Sequence, residues 1–207
     1  MEKRLHERGF SYLGVELPKF SWRTRTLKTM EIAGEHPDKL LIFVDAWDTL
    51  PLGYAHELDG MRLDRGITFA AAKACWPDER YKDYDDKHSQ RMVSPWRYLN
   101  SNPMAGLGSS ISEAMQWTWK HFPLTGDSAD TLTPDGEVCE RFYTHLYLDS
   151  PFNTHLDMGC RLNQIYLCSQ PGDLRIEDGR IHNLVTNSWP VFLHLNGKHT
   201  LDTGLFE

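Results

Sequence analysis

The sequence predicts a single α/β domain over residues 1–207, with a mainly parallel sheet flanked by helices and a small antiparallel hairpin near the C-terminus. Two observations support this prediction. Short apolar runs, typical of strands, alternate along the chain with stretches that carry apolar residues at helical spacing. Near the C-terminus, Asp178-Gly179 separates two short β-forming segments, which is a strong signal for a type I′ hairpin.

The individual elements follow from local patterns. The apolar run LLIFV at 40–44 predicts a central strand that is covered on both faces. Gly34, which precedes His36-Pro37, marks the end of a helix. The polar, glycine- and proline-containing stretch at 123–136 predicts a surface loop. The predicted strands cover 10–17, 40–44, 67–72, 174–177, 180–183 and 191–193, and the predicted helices cover 23–34, 109–122 and 137–148.

Composition excludes several classes of protein. The formal net charge of -7 and the pI of about 5.8 disfavour binding to duplex nucleic acid, because an acidic surface repels phosphate backbones. The four cysteines have no CxxC spacing, which disfavours a zinc knuckle. The charged N-terminus and the lack of an 18-residue apolar run predict a cytoplasmic protein without membrane association.

The sharpest chemical signal is a pair of aspartates at the end of the apolar run. Asp45 and Asp48 follow the strand directly, and ligands of open α/β sheets bind at the carboxyl ends of strands. Carboxylate oxygens suit Mg²⁺ or Mn²⁺, and two aspartates three positions apart across a turn can face one ion. The alternative is that either aspartate simply caps the next turn or helix.

A second signal follows the last predicted strand, in the sequence HLNGK at 194–198. His194 can supply a nitrogen ligand, Gly197 allows the backbone to approach a phosphate, and Lys198 can neutralise one. The alternative is a packed histidine followed by a turn. Three further residues are candidates for contacts with a sugar, a hydroxyl or a phosphate, although each is also compatible with a core or turn position: Trp76, Asn100 and Ser101.

These blocks together, in this order, resemble the glycosyltransferase domain of procollagen lysyl hydroxylases and related collagen glycosyltransferases. That family has F-V-D-x-Y-D, F-S-A-E-x-x-C-W-P, R-[FY]-L-N-S-G-G, D-D-Q-x-[FY]-[FY]-T-x-x-[YF]-L-D, L-D-x-x-x-x-[IL]-F-Q and H-G-N-G. The corresponding segments here are FVDAWD at 43–48, FAAAKACWP at 69–77, RYLNS at 97–101, VCERFYTHLYLD at 138–149, LD at 156–157 with NQ at 163–164, and HLNG at 194–197.

The resemblance implies a GT-A-like, Rossmann-like fold and Mn²⁺-dependent (or Mg²⁺-dependent) transfer from a UDP-sugar to a hydroxyl-bearing acceptor. It implies that the metal is held by Asp45, Asp48 and His194. It also implies that Asn196 and Gly197 contact the diphosphate. Positive charge is expected from Lys198 and Arg23, and Trp76, Asn100 and Ser101 are expected to contact the sugar or the acceptor.

The chain also departs from the family pattern. The family's first strand has no counterpart, so the chain begins at what resembles the helix after it. Ala72 replaces the acidic residue of F-S-A-E, and Asn102-Pro103 replaces the Gly-Gly pair. Val138-Cys139-Glu140 replaces D-D-Q, which removes two carboxylates. The catalytic residue is left unassigned, with Glu140 as the candidate that partly substitutes for the lost charge and an aspartate of the acidic loop, Asp127, Asp130 or Asp135, as the alternative.

Two alternatives to an active transferase remain at this point. The lost carboxylates are compatible with a catalytically decayed, glycosyltransferase-like binding module. The sequence LLIFVDAWDTL at 40–50 also resembles the nucleophile motif of haloacid-dehalogenase phosphatases, with GDSAD at 126–130 resembling their metal motif. That phosphatase chemistry uses aspartates two positions apart, whereas Asp45 and Asp48 are three apart.

Overall fold

The structure is a computed structural model that describes residues 1–17, 21–77, 79–88, 94–124, 135–166, 169–170 and 172–195, with 135–138 described by backbone alone. Two 3-10 helices, Ala55–Met61 and Leu63–Arg65, accompany the main elements. The helices are α1 (Glu2–Glu7), α2 (Trp22–Glu35), α3 (Tyr81–Lys87), α4 (Gly108–His121) and α5 (Asp135–Leu148). The strands are β1 (Leu40–Phe43), β2 (Thr49–Pro51), β3 (Ile67–Ala72), β4 (Tyr98–Leu107), β5 (Thr154–Asp157), β6 (Asn163–Ile165), β7 (Leu174–Glu177), β8 (Arg180–Asn183) and β9 (Phe192–His194).

The strands of this mixed α/β fold form two sheets and a hairpin. The larger sheet has the order β1-β4-β3-β5, in which β4 is antiparallel to both neighbours and β3 is parallel to β5. The second sheet has the order β2-β9-β6, with one antiparallel and one parallel pair. The predicted mainly parallel sheet is therefore wrong, whereas the predicted β7–β8 hairpin is confirmed.

The unpredicted strand β4 accounts for this difference. Its centre contains three polar residues and Pro103, and such a sequence carries a weak strand signal because proline cannot donate to a ladder. The pairing with β3 is irregular at this point, since Phe69 faces Met104 and Ala70 faces Asn100. Residues 101–103 are thus skipped by the register, as in a bulge, and the strand continues on both sides of them.

Two other strand predictions are corrected. Strand β1 lies at one end of the strand order, so it is not central, although its residues do pack on both faces. Leu41 and Phe43 pack against the main core, which lies between the larger sheet and the helices. Ile42 packs on the other face, against a separate group of buried apolar side chains. The stretch 10–17 is not a strand, because its apolar residues alone do not provide a partner strand to pair with. Leu13 within it is 65% exposed.

The main core lies between the larger sheet and helices α2, α4 and α5. The predicted helices 23–34, 109–122 and 137–148 are confirmed with small shifts of their ends. Within the described residues, no helix is long and apolar enough to cross a membrane. The large side chains that fill this core without solvent contact include Phe69, Trp96, Met104, Ile111, Met115, Phe142 and Leu146.

The close contact between α2 and α4 depends on Gly108. A Cβ atom added to this residue would lie 2.1 Å from the carbonyl oxygen of His36 and 2.6 Å from that of Ala33. Both obstacles are backbone atoms, so they can move away only if the helices separate.

We therefore expect Gly108→Ala to lower the free energy of unfolding by about 2 kcal/mol, as is typical of overpacked interiors. Urea denaturation measures this change. Gly159→Ala is the matched control, because a Cβ at that position would meet only the Cγ atom of Arg161 at 3.9 Å. Equal stability of the two variants would contradict the packing described here.

Candidate functional site

Two aspartates and a histidine from distant parts of the sequence meet at one end of the sheets. Asp45 and Asp48 lie in the turn between β1 and β2, and His194 ends β9. The antiparallel pairing of β2 with β9 places Thr49 opposite His194, and the backbone N–H of Leu195 donates to the carbonyl oxygen of Asp48 at 2.8 Å. This ladder fixes the imidazole beside the aspartate turn.

The ligand atoms of this triad fit a divalent cation. One nitrogen or oxygen atom from each of Asp45, Asp48 and His194 lies within 4.8 Å of the others. Opposite ligands of an ion bound at about 2.1 Å are about 4.2 Å apart, so only a small adjustment is needed. Nε2 of the buried His194 is 3.3 Å from Oδ2 of Asp48. The donor set of two carboxylates and one imidazole suits Mn²⁺ or Mg²⁺.

A buried guanidinium balances the charge of the first aspartate. Nη2 of Arg25, in α2, is 3.0 Å from Oδ1 of Asp45. Burial lowers the pKa of Arg25, but the Asp45 carboxylate and smaller contributions from Tyr143, Cys139 and Glu140 together raise it by more. The pKa therefore lies above its usual value, and the guanidinium stays charged. Nη1 of Arg25 is buried and has no hydrogen-bond partner among the described residues. The site therefore holds a fixed positive charge with donor capacity left over.

The sequence interpretation selected Arg23 for this positive charge. In the structure Arg23 is exposed, and its guanidinium lies over the ring of Trp119 at 5.9 Å from the centroid. Positions two apart on a helix point in different directions, which is why Arg25 reaches Asp45 from the same helix. Arg25 precedes the buried Thr29 by one turn of this helix, but the sequence does not show that Thr26 and Thr29 face the core, so no sequence signal singled out Arg25.

A buried carboxyl group, that of Glu140, lies close enough to the triad to interact electrostatically with His194. Oε1 of Glu140, in α5, accepts a hydrogen bond from the backbone N–H of Ser101 at 3.0 Å. Burial raises the pKa of Glu140 to about 7, and the opposing effects of Ser101, Arg25 and His194 do not cancel it. The structure thus brings two sequence candidates, Glu140 and Ser101, into contact next to the cluster.

The structure describes only some of the remaining candidates. Asn100 lies in β4, and its Oδ1 accepts from the backbone N–H of Asn102 at 3.2 Å. Trp76 is half exposed and lies beyond the end of β3. Asn196, Gly197 and Lys198 lie outside the described residues.

Two residues near the triad had been given no functional role from the sequence. Trp47, between the two aspartates, is 100% exposed, so none of the described residues covers its ring. Asn102 is buried, and its side chain contacts the backbone N–H of Asp45 and the ring of His194. The resemblance indicated only that a glycine of the family is lost at position 102. The spacing of residues in the sequence does not predict where a side chain points when its strand is irregular.

Fold and site together define an α/β domain with a candidate divalent-cation centre where two sheets meet. A family model described as the PLOD GT domain matches residues 21–206 of the chain. The chain belongs to this family of glycosyltransferase domains, and the predicted resemblance is confirmed.

Individual relatives agree with this assignment. The chain is 29% identical to the uncharacterized protein R699 of Acanthamoeba polyphaga mimivirus, over an alignment of 169 residues that covers 77% of the chain. It is 28% identical to the multifunctional procollagen lysine hydroxylase and glycosyltransferase LH3 of Pongo abelii, over an alignment of 188 residues that covers 84% of the chain. Its identity to human LH3 is 27% over an alignment of the same length. The matches span only 32% of the viral protein and 22% of each LH3 sequence.

Proposed function

We propose that this domain transfers a sugar from a UDP-sugar to a hydroxyl-bearing acceptor in a Mn²⁺-dependent (or Mg²⁺-dependent) reaction, on a GT-A-like fold. The observation that carries the proposal is the convergence of Asp45, Asp48 and His194 in a chain of the PLOD GT domain family. These three residues would hold the cation. When bound, a divalent cation supplies Lewis acidity and charge neutralisation for a leaving diphosphate.

The neighbouring side chains have complementary roles in this proposal. Arg25 keeps the Asp45 carboxylate oriented, and its Nη1 hydrogens can donate to an anionic oxygen of the donor. The ring of Trp47, exposed among the described residues, offers a flat apolar face for a nucleobase beside the cation. Diphosphate contacts are assigned to Asn196, Gly197 and Lys198, and contacts with the sugar or acceptor to Trp76, Asn100 and Ser101.

Transfer to a hydroxyl also releases a proton. The carboxyl group of Glu140 suits this role, because its pKa of about 7 is near neutral pH, where a proton acceptor works best. Its contact with the backbone of Ser101 holds it against the segment that also carries Asn100. We therefore assign proton transfer to Glu140.

A binding module without transfer activity is the second candidate, and one observation favours it. Cys139 replaces a family carboxylate and is buried, with its Sγ atom 3.8 Å from the hydroxyl oxygen of Thr26. Burial raises the pKa of this thiol to about 11, so it supplies no negative charge at neutral pH. Membership of a glycosyltransferase family favours both the transferase and the binding module over a phosphatase. The second motif of the phosphatase interpretation, at 126–130, lies outside the described residues.

A donor screen tests the proposal. The protein is incubated with UDP-glucose, UDP-galactose and other UDP-sugars with Mn²⁺, and release of UDP is measured with and without EDTA. We expect at least one donor to be hydrolysed slowly with Mn²⁺, because water can replace the acceptor, and EDTA to abolish the reaction. Metal-dependent UDP binding without release of UDP from any donor, in the presence of simple hydroxyl acceptors, would instead select the binding module.

A further inference from the structure

A cavity lies at the end of the second sheet that is remote from the triad. It has a volume of about 310 Å³, which is at the lower end of the range for small-molecule sites in proteins. Its walls consist of an indole, a guanidinium and three carboxylates, which belong to Trp189, Arg180, Glu57, Glu177 and Asp178. None of these five residues takes part in the proposed transfer reaction.

The β2–β9 ladder separates this cavity from the triad. His194 ends β9, whereas at the start of that strand the carbonyl oxygen of Val191 accepts from the backbone N–H groups of Leu52 and Gly53 at 2.8 and 3.0 Å. The three residues from Val191 to His194 span about 10 Å of extended chain. Trp189 lies two residues before Val191, so the cavity is separate from the residues proposed to hold the cation.

The indole of Trp189 forms the apolar wall of the cavity. The ring of His182 stacks on it, with the two centroids 4.5 Å apart and 4° between the planes. The guanidinium of Arg180 lies over the same indole at 5.7 Å from the centroid. Arg180 and His182 are two positions apart in β8, so both side chains leave the same face of the hairpin. The hairpin therefore holds the indole in place, and 37% of Trp189 remains exposed.

The polar wall is also held in a fixed arrangement. Nη2 of Arg180 is 2.8 Å from Oε2 of Glu57, and Oε1 of Glu57 accepts from the backbone N–H of Tyr54 at 2.8 Å. Gly53 permits this close packing, because an added Cβ would lie 3.0 Å from Nη2 of Arg180 and 3.1 Å from Oε1 of Glu57. A cavity whose walls are already ordered binds a ligand at a lower cost in entropy.

The charges of the walls favour a neutral ligand with several hydroxyl groups. Glu57 is paired with Arg180, and Glu177 is paired with Arg175 of the same hairpin. The position of a cation over the indole is already taken by Arg180, which would repel a second cation. Carboxylates accept hydrogen bonds and a guanidinium donates them, so hydroxyl groups find both kinds of partner in this cavity. The apolar C–H groups of a sugar ring can pack against the indole.

We propose that this cavity binds one pyranose residue of a neutral saccharide, independently of the divalent cation. Trp189 packs against the sugar ring, and the hydroxyl groups of the sugar bond to Arg180, Glu177 and Asp178. The inference goes beyond the proposed transfer reaction and does not depend on it, because no residue of the triad takes part.

Titration of the full chain with sugars, followed by ¹H–¹⁵N spectra, tests this site. The indole N–H signal of Trp189 is assigned by its loss in Trp189→Phe, and EDTA is present throughout to keep the metal centre empty. We expect at least one of D-glucose, D-galactose and their methyl glycosides to shift this signal, with a Kd of roughly 1–10 mM, as is typical of one small polar ligand. Butylammonium chloride, the cationic probe, should not shift it at the same concentrations.

Trp189→Ala is expected to weaken sugar binding at least about tenfold, because the apolar wall is removed. Saturation-transfer difference spectra of the sugar measure this loss, since the indole signal itself is absent from the variant. Tyr81→Ala is the matched control. Tyr81 is 44% exposed and lies in α3, outside the walls of the cavity, so we expect its removal to change the affinity less than about twofold.

The other outcomes are equally decisive. An equal response to the ammonium probe would overturn the assignment to a neutral saccharide, and equal losses in Trp189→Ala and Tyr81→Ala would contradict binding in the cavity. No shift of the Trp189 signal with any sugar, or shifts confined to Trp47 and Trp76, would overturn the site whether or not Trp189→Ala folds. A protein that binds sugar here but fails to bind UDP with Mn²⁺ would contradict the proposed function and leave this inference intact.

Discussion

Asp48→Ala is expected to abolish Mn²⁺-dependent binding of UDP while the protein remains folded. Asp48 belongs to the triad, and its side chain is partly exposed in the turn before β2. Removal of one of three protein ligands costs more than loss of an orienting residue, so we expect affinity to fall by at least about 100-fold. The fold should persist because the carbonyl oxygen of Asp48, which accepts from Leu195, remains in place.

Titration calorimetry of UDP in the presence of Mn²⁺ measures the loss, and circular dichroism measures the fold. Asp59→Ala provides a control with the same change of charge, because Asp59 is an exposed residue of a 3-10 helix outside the triad. If Asp48→Ala binds UDP like the wild-type protein, the assignment of the metal ligands is wrong.

Glu140→Gln is expected to stabilise the protein at high pH and to leave its stability nearly unchanged at low pH. The pKa of Glu140 is about 7 in the folded protein, because burial raises it, whereas the ordinary value is 4.5. A carboxyl group with a raised pKa favours the folded state fully below about pH 4.5, and this contribution is lost as the pH rises through about 7. At pH 8 the wild-type protein therefore has the cost of an ionised, buried carboxylate.

A shift of this size corresponds to about 3 kcal/mol at pH 8, at about 1.4 kcal/mol per pKa unit. Urea denaturation at pH 5 and pH 8 measures it as the difference between the two proteins. We expect the advantage of Glu140→Gln to grow by about 2–3 kcal/mol between these values, and the other titrating groups largely cancel in the comparison. A pH-independent difference would show that Glu140 is not a carboxyl group with a raised pKa.

The triad itself could be predicted from the sequence. Asp45 and Asp48 follow an apolar strand, and His194 follows another, so both signals mark strand ends where ligands bind. The structure brings them together through the β2–β9 ladder, which local patterns did not predict because β2 is only three residues long. The order of the motifs in the resembling family indicated that these three residues act together, whereas hydrophobic periodicity alone did not.

The surroundings of the triad were less predictable. Strand β4 was missed because its polar centre and Pro103 are not typical of a strand. Its antiparallel pairing with β1 and β3 makes the larger sheet mixed rather than mainly parallel. The contacts of Asn102 arise from that irregular segment, so no sequence pattern points to them. Arg25 was missed in favour of Arg23 because the direction of a helical side chain depends on how the helix packs.

The most direct test of the central claim is calorimetric titration of UDP into the wild-type protein, once with Mn²⁺ and once with EDTA. The triad of Asp45, Asp48 and His194 predicts binding in the micromolar range that requires the metal. Binding of equal strength in EDTA, or no binding in either condition, would contradict a metal-dependent site for a UDP-sugar.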